Sequence, residues 1–397
     1  MGTPELDVRN RRARVATAAL FLTNGALFAN LLPRYPEIKA DLGLSNTAFG
    51  LSVAAFSAGA LLTGPTAAAL IRRYRSAVVA VVGSVLIAVF VFAAGLAPSG
   101  AMLAAALFCA GAADSVTDVA QNMHGLRLQR GYGRSIINSL HAVWSSGAVL
   151  GGLIGAGTIY LGVPRAVQLS ASGLLLCAVC LISYRFLLPG PDHDEPAHQH
   201  QAQATARSGR PIYLVLAALV TIAIAGAVVE DGGSSWATLY LHDSLSAPAA
   251  IAALGYVAMV GCQLIGRTFG DRMVDRWGQA AVARAGGVIV ALGMAAALAF
   301  PSVPGTIAGF AAAGFGSATL VPGAMHAADE LPGLRSGTGL TVLTWLMRVG
   351  FLGSPIVVGA IADAVSLRVG LLSVVAAGLA AVALGWALSP RNPSAQS

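Results

Sequence analysis

The sequence predicts an all-α membrane protein of about twelve transmembrane helices, arranged as two pseudo-symmetric six-helix bundles. Three observations carry that prediction. First, hydrophobic residues make up 56% and charged residues 10% of the 397 positions, and the mean hydropathy is +0.74. A water-soluble chain of this composition would expose large apolar patches. Second, apolar runs of roughly 20 residues, the length that crosses a bilayer, recur between short polar or Gly/Pro breaks. Third, sliding the second half back by 203 positions lays Arg276-Trp277 on Arg73-Tyr74, Gly314 on Gly111, Gly350 on Gly147 and Arg368 on Arg165. One constant offset across loops and helices is the mark of two halves of the same topology.

The apolar runs place spans at 15–33, 47–70, 77–97, 101–124, 137–160 and 165–188. A second set follows at 212–241, 250–270, 280–299, 303–328, 337–361 and 367–388. The first run is long enough to span, and Asn30-Leu31-Leu32-Pro33-Arg34 is unlike a small-residue cleavage site, so it is expected to stay as the first helix. Between the sets lies 189–211, whose Pro, Gln, His and charge content cannot bury enough apolar surface to fold. The expected organisation is an N-terminal bundle at 1–188, a cytoplasmic linker at 189–211 and a C-terminal bundle at 212–397. With the N-terminus inside, 19 of the 24 basic residues fall in cytoplasmic segments. Arg34, Lys39, Arg165 and Arg368 fall outside, and Arg348 lies within a span. This positive-inside pattern predicts both termini in the cytoplasm. It also accounts for the net charge of +7 without a nucleic-acid partner.

The segment Gly266, Arg267, Gly270, Asp271, Arg272, Asp275, Arg276 and Gly278 resembles the G-x-x-x-D-R-x-G-R/K loop of the major facilitator superfamily, which joins the second and third helices of a half. The first-half copy at 64–75 keeps Arg72, Arg73 and Arg75 but has Ala68 opposite Asp271. The segments 114–125, 138–147 and 230–241 resemble the fucose-permease-like, YbjJ-like bacterial branch. The resemblance spans 15–388. It implies a monomeric secondary transporter of the bacterial inner membrane, without cofactor or catalytic activity, carrying a sugar or similar small polar solute with protons. In the loop itself, Asp271 and Asp275 beside Arg267, Arg272 and Arg276 can make charge-assisted bonds that hold the cytoplasmic mouth shut. Alternatively, these charges are only interfacial topology signals.

Ionisable groups at bilayer depth cost about 2.5 to 3.5 kcal/mol each on insertion scales, so their presence needs a reason. On helix four, Asp114, Asp118 and Gln121 fall within about 60° of one another at 100° per residue, with Asn122 adjoining. Helix five carries Asn138, His141 and Ser145 at the same kind of spacing. Glu230 and Asp231 precede Gly232-Gly233 on helix seven, a pair that weakens a helix locally. Trp236 follows. Helix eleven carries Thr341, Thr344 and Arg348. Together with Asn24 on helix one, these residues are the candidates for a solute and proton path, in which Arg348 faces a cavity and is balanced by an acid such as Glu230 or Asp118. The competing reading of Arg348 is a static ion pair that locks helices.

Trp144, Trp236 and Trp345 can stack on a sugar face or simply pack. His141 can relay protons or tie two helices together. Gly147, Gly151 and Gly155 form a small-residue stripe that permits close helix contact. It resembles an antiporter motif in which Gly152 replaces the usual Pro and Ala156 the last Gly. Cys177-x-x-Cys180 lies in an apolar run and reads as two small apolar side chains. His193, His198 and His200 lie in the polar linker rather than a metal site. No phosphate-cradling G-x-x-x-x-G-K-[ST], H-E-x-x-H or nucleophile elbow is present. Efflux of drugs or metabolites, and a membrane receptor or enzyme, are the alternatives to solute uptake.

Overall fold

The computed structural model describes residues 4–132, 136–190, 210–331, 334 and 338–389, and every regular element among them is helical. Twelve helical segments are long and apolar enough to cross a membrane. They are α1 (Val8–Asp41), α2 (Asn46–Tyr74), α3 (Ser76–Gly95), α4 (Gly100–Tyr132), α5 (Ser139–Tyr160), α6 (Arg165–Tyr184), α7 (Ile212–Ser244), α8 (Ala249–Trp277), α9 (Gln279–Ala299), α10 (Val303–Asp329), α11 (Thr338–Ala364) and α12 (Leu367–Leu388). Large apolar side chains face outward around the bundle. Leu174 of α6 and Leu292 of α9 are 74% and 66% exposed, which suits hydrocarbon rather than water as the surrounding solvent.

The helices overrun the apolar runs. α4 continues past 124 to Tyr132, and α8 continues past 270 to Trp277. Hydropathy marks where lipid begins and ends, whereas helical hydrogen bonding persists through polar residues such as Arg and Gln that favour helix. Several spans are also broken along their length, among them α2 by a 3-10 turn at Gly64–Thr66. α1 changes to a 3-10 turn at Leu32–Arg34, where Pro33 lacks the N–H that a continuous helix requires. α7 is π-helical over Gly232–Trp236, and α10 is interrupted between Ser317 and Leu320.

The 203-residue repeat is visible in the packing as well as the sequence. Gly111 of α4 sits against the Phe56 carbonyl of α2, and Gly314 of α10 sits against the Met259 carbonyl of α8. Both pairs are related by the same offset. Arg73 lies 5.4 Å over the ring of Tyr74, and Arg276 lies 5.7 Å over the ring of Trp277. The next turn in each half has positive φ, 72° at Arg75 and 81° at Gly278. The breaks in α1 and α7 fall at equivalent positions too. Two helices of each half make the seam with the other: α2 packs on α11, and α5 packs on α8. The repeat exchanges these two pairs, as a pseudo-two-fold axis between the halves requires.

Candidate functional site

The end of the bundle remote from the chain termini, here called the distal end, is closed by contacts between the halves. Lys39 donates to Asp243 at 3.2 Å. At the other seam, the Asp363 carboxylate on α11 caps the start of α2. One oxygen accepts from the Asn46 backbone N–H and side-chain amide, both at 2.9 Å, and the other accepts from the Thr47 N–H at 2.8 Å. Ser45 accepts from the Ala48 N–H at 3.1 Å, so the orphan donors of the first helical turn are shared between a local cap and one supplied by the opposite half. The helices approach closely here because Gly50 lies against the Pro355 backbone and Gly359 against that of Asn46. Beneath, Tyr35 of α1, Phe49 of α2 and Trp236 of α7 form an edge-to-face stack with centroid separations of 5.1 and 5.7 Å.

Below this seal, two polar chains end on the aspartates of α4. Nearer the middle of the bundle, the Trp144 indole donates to the Asn24 carbonyl oxygen at 2.7 Å, and the Asn24 amide donates to Asp114 at 3.0 Å. One turn closer to the proximal end, His141 is bonded to the Asn122 oxygen at 3.0 Å, and the Asn122 amide donates to Asp118 at 3.0 Å. Asp118 and His141 are solvent-exposed. α1, α4 and α5 therefore converge on a wet cavity that opens away from the distal seal.

The C-terminal half contributes the opposing charges. Arg267 of α8 lies 3.8 Å from Glu230 and donates to Ser145 of α5 at 3.4 Å. The Gln263 amide also donates to Glu230, at 3.3 Å. Arg348 of α11 donates to the Ala60 carbonyl of α2 at 3.1 Å and lies within electrostatic reach of both Asp114 and Asp118. Each seam thus carries one guanidinium from the C-terminal half: Arg348 lies near the aspartates of α4, whereas Arg267 pairs with Glu230 of its own half and reaches Ser145 across the seam.

Several candidates sit elsewhere than their spacing suggested. Gln121 is buried against α1 and donates to the Leu20 carbonyl at 3.2 Å. It ties two helices together and does not line the cavity. The Thr344 hydroxyl is taken by its own helix, donating to the Leu340 carbonyl at 2.8 Å. Asp231 is buried, accepts from Ser235 at 2.6 Å, and belongs with Trp236 to the layer beneath the distal seal. The side chain of Asn138 lies outside the described residues, as do residues 191–209 of the linker. The segment read as a gating loop is the last three turns of α8, with Gly278 alone forming the turn. Gly266 and Gly270 pack on Phe315, Ala318 and Thr319, at the break in α10. Among the described residues, Asp271 and Asp275 make no ion pair, as expected where the mouth they would close is open. The glycine stripe of α5 is helix packing: Gly147 meets Leu22, Gly151 meets Ala26, and Gly155 meets Pro33, all of α1.

Sequence reasoning did not single out Tyr35, Phe49, Asp243, Gln263 or Asp363, or pair Lys39. The partners of Lys39 and Asp363 lie 204 and 317 residues away along the chain, and no local pattern encodes such a pairing.

Two six-helix halves around a polar cavity sealed at one end define a multi-pass membrane transporter fold. The family model described as Major Facilitator Superfamily matches residues 17–272, and the chain belongs to that superfamily. It is 29% identical to the uncharacterized transporter y4wD of Sinorhizobium fredii (strain NBRC 101917 / NGR234), over 92% of this chain and 96% of that one. Its fold resembles that of the nucleoside transporter NupG, with a TM-score of 0.74 and 11% identity over 96% of this chain and 98% of that one. It also resembles a D-xylose-proton symporter, with a TM-score of 0.71 and 15% identity over 95% and 96% of the two chains.

Proposed function

We propose that this transporter carries a small polar solute, a sugar or a compound with a similar hydroxylated ring, in symport with protons by alternating access. The observation that carries the reading is the facing of Asp114 and Asp118 on α4 with Arg348, Arg267 and Glu230 across a cavity at membrane depth. Ionisable groups are retained there only where they line a wet path or pair with one another. Amide donors, an indole N–H and carboxylate acceptors in one cavity suit neutral hydroxyl groups, which need both donors and acceptors. The structural neighbours, a nucleoside transporter and a D-xylose-proton symporter, favour the same solute class. In this cycle, the bonds of Lys39, Asp243 and Asp363 break when the distal end opens, and the aspartates of α4 exchange protons with the cavity water. On this reading the chain works in the bacterial inner membrane as a monomer, with both termini and the linker 189–211 in the cytoplasm, the side that the positive-inside pattern favours.

The test is uptake into proteoliposomes that hold the purified protein under an imposed proton gradient, with sugars and nucleosides offered in turn. A thermal-shift screen selects the solutes, since a ligand that binds only the folded chain raises its melting temperature. Accumulation of a solute that collapses with a protonophore supports the reading. Solute movement unaffected by the gradient removes the proton coupling, and failure of every hydroxylated solute to bind or move removes the substrate class.

A further inference from the structure

We propose that a groove between the start of α1 and the end of α6 binds the phosphate headgroup of an anionic glycerophospholipid. The groove has a volume of about 540 Å³ and is lined by Arg9, Arg12 and Arg185 together with Val8, Phe186 and Leu187. The four arginines at the start of α1 do not form one patch. At 100° per residue, Arg9 and Arg12 stand about 60° apart, while Arg11 and Arg14 fall on the other side of the helix. Arg11 and Arg14 line a separate groove shared with Tyr132, and Arg14 is engaged there, 5.6 Å over the tyrosine ring. Arg9 and Arg12 turn instead toward Arg185 of the neighbouring segment.

Two further observations identify the ligand. The first is uncompensated charge. At the opposite end of the same half, Arg34 pairs with Glu37 at 2.9 Å, and Arg165 pairs with Glu37 at 3.2 Å and Asp41 at 2.9 Å. Among the described residues, Arg9, Arg12 and Arg185 have no such partner. Guanidinium forks suit phosphate oxygens, and basic pockets between membrane helices are where anionic headgroups dock. The second is the neighbouring surface. Leu181 and Ile182, one turn of α6 before Arg185, are 57% and 60% exposed. An apolar strip runs directly from the cationic groove toward the bundle's lipid-facing side, so the site matches a molecule with an anionic head and an acyl tail better than free phosphate. The competing occupant is the acidic start of the linker, where Asp192, Asp194 and Glu195 follow Pro189 closely in sequence.

The full chain, delipidated in a neutral detergent, is titrated with phosphatidylglycerol, with phosphatidylcholine of the same acyl chains, and with inorganic phosphate. Binding is read by melting temperature and by lipid adducts in native mass spectrometry. Phosphatidylglycerol is expected to bind and stabilise, with the other two far weaker. In R9Q/R12Q/R185Q the affinity is expected to fall at least about tenfold, given the contribution of each basic residue near an anionic surface. R11Q/R14Q should bind like the unaltered chain. The single variant R185Q and the charge-retaining R9K/R12K/R185K serve if the triple variant does not fold; each should show a smaller loss in the same direction. Equal binding of phosphatidylcholine or of inorganic phosphate overturns the proposal, as does undiminished binding in the variants. Binding that emerges only in D192N/D194N/E195Q assigns the groove to the linker instead.

Discussion

The two hydrogen-bonded chains that end on Asp114 and Asp118 differ in what they expose. Asp118 shares its chain with an exposed histidine, whereas Asp114 is reached through Asn24 and the indole of Trp144. This places Asp118 where a proton can arrive from cavity water. Asp118→Asn keeps an oxygen to accept from Asn122 but removes the charge. It is expected to abolish proton-driven accumulation while leaving solute exchange across the membrane within about threefold of normal, since exchange needs alternating access but no net proton movement. Uptake against a gradient that survives this substitution would assign coupling to another group. Arg348→Lys keeps a cation near both aspartates but loses the planar fork that reaches the Ala60 carbonyl. Arg348→Gln loses both, so transport should fall in the order Arg, Lys, Gln. The sequence showed Asp114, Asp118 and Asn122 as one neighbourhood of helix four and His141 as part of a second stripe on helix five, because helical spacing reports each helix by itself; the bond that joins the two stripes, His141 to Asn122, is seen only in the structure. It could not show that Gln121, on the same arc, turns into the α1 contact, because the neighbour that accepts its hydrogen bond, Leu20, is 101 residues away.

At the scale of helices, hydropathy is a strong reporter of how many segments cross and a weak one of where they end. All twelve spans were legible, since about 20 apolar residues have few other uses. The extensions of α4 and α8, and the helical nature of 266–277, were not legible, because a charged amphipathic turn reads alike whether helical or looped. The α2–α11 seam illustrates the other limit: Asp363 completes a helix cap in the opposite half. An N-cap side chain contributes typically about 1 kcal/mol, and a contact made only in the distally closed state biases the conformational equilibrium by that amount. Asp363→Ala is therefore expected to raise the distally open population about fivefold without lowering the global melting temperature by more than a few degrees. Thiol labelling of a cysteine placed at Asn46 or Thr47 reads this directly, and labelling rates equal to those of the parent would show that the cap does not restrain the gate. Gly314→Leu, by contrast, drives a side chain into the Met259 backbone. It should destabilise the C-terminal half by several kcal/mol, as overpacking of a close helix contact does, with loss of folded protein in detergent as the readout.

At the scale of the whole molecule, the pseudo-symmetry is broken where chemistry is required. Arg348 is the repeat equivalent of Ser145, and Arg267 is the equivalent of Gly64, so the two seams are related but each carries its arginine on a helix of the C-terminal half. The carboxylates of α4 have no acidic counterparts on α10, where Ser317 and Val321 stand at the equivalent positions. The cavity is thus asymmetric: the N-terminal half brings the two aspartates of α4, and the C-terminal half brings both arginines together with Glu230. If the transporter works by the proposed alternating access, opening of the distal end rocks the halves about this charged middle and separates Lys39 from Asp243 and Phe49 from Trp236. In a background lacking Cys109, Cys177, Cys180 and Cys262, the pair Lys39→Cys and Asp243→Cys, joined by a reducible bifunctional thiol reagent, should hold the distal end shut. Uptake is expected to fall at least about tenfold on cross-linking and to return on reduction, with either single cysteine unaffected, as a hinge that must open at each turnover requires. Because the polar cavity is open at its proximal end in the closed form, solute binding measured by thermal shift should persist in the cross-linked protein. Uptake that continues while the distal ends remain joined would mean that the solute does not pass between Lys39 and Asp243, and rocking about the charged middle would be the wrong motion.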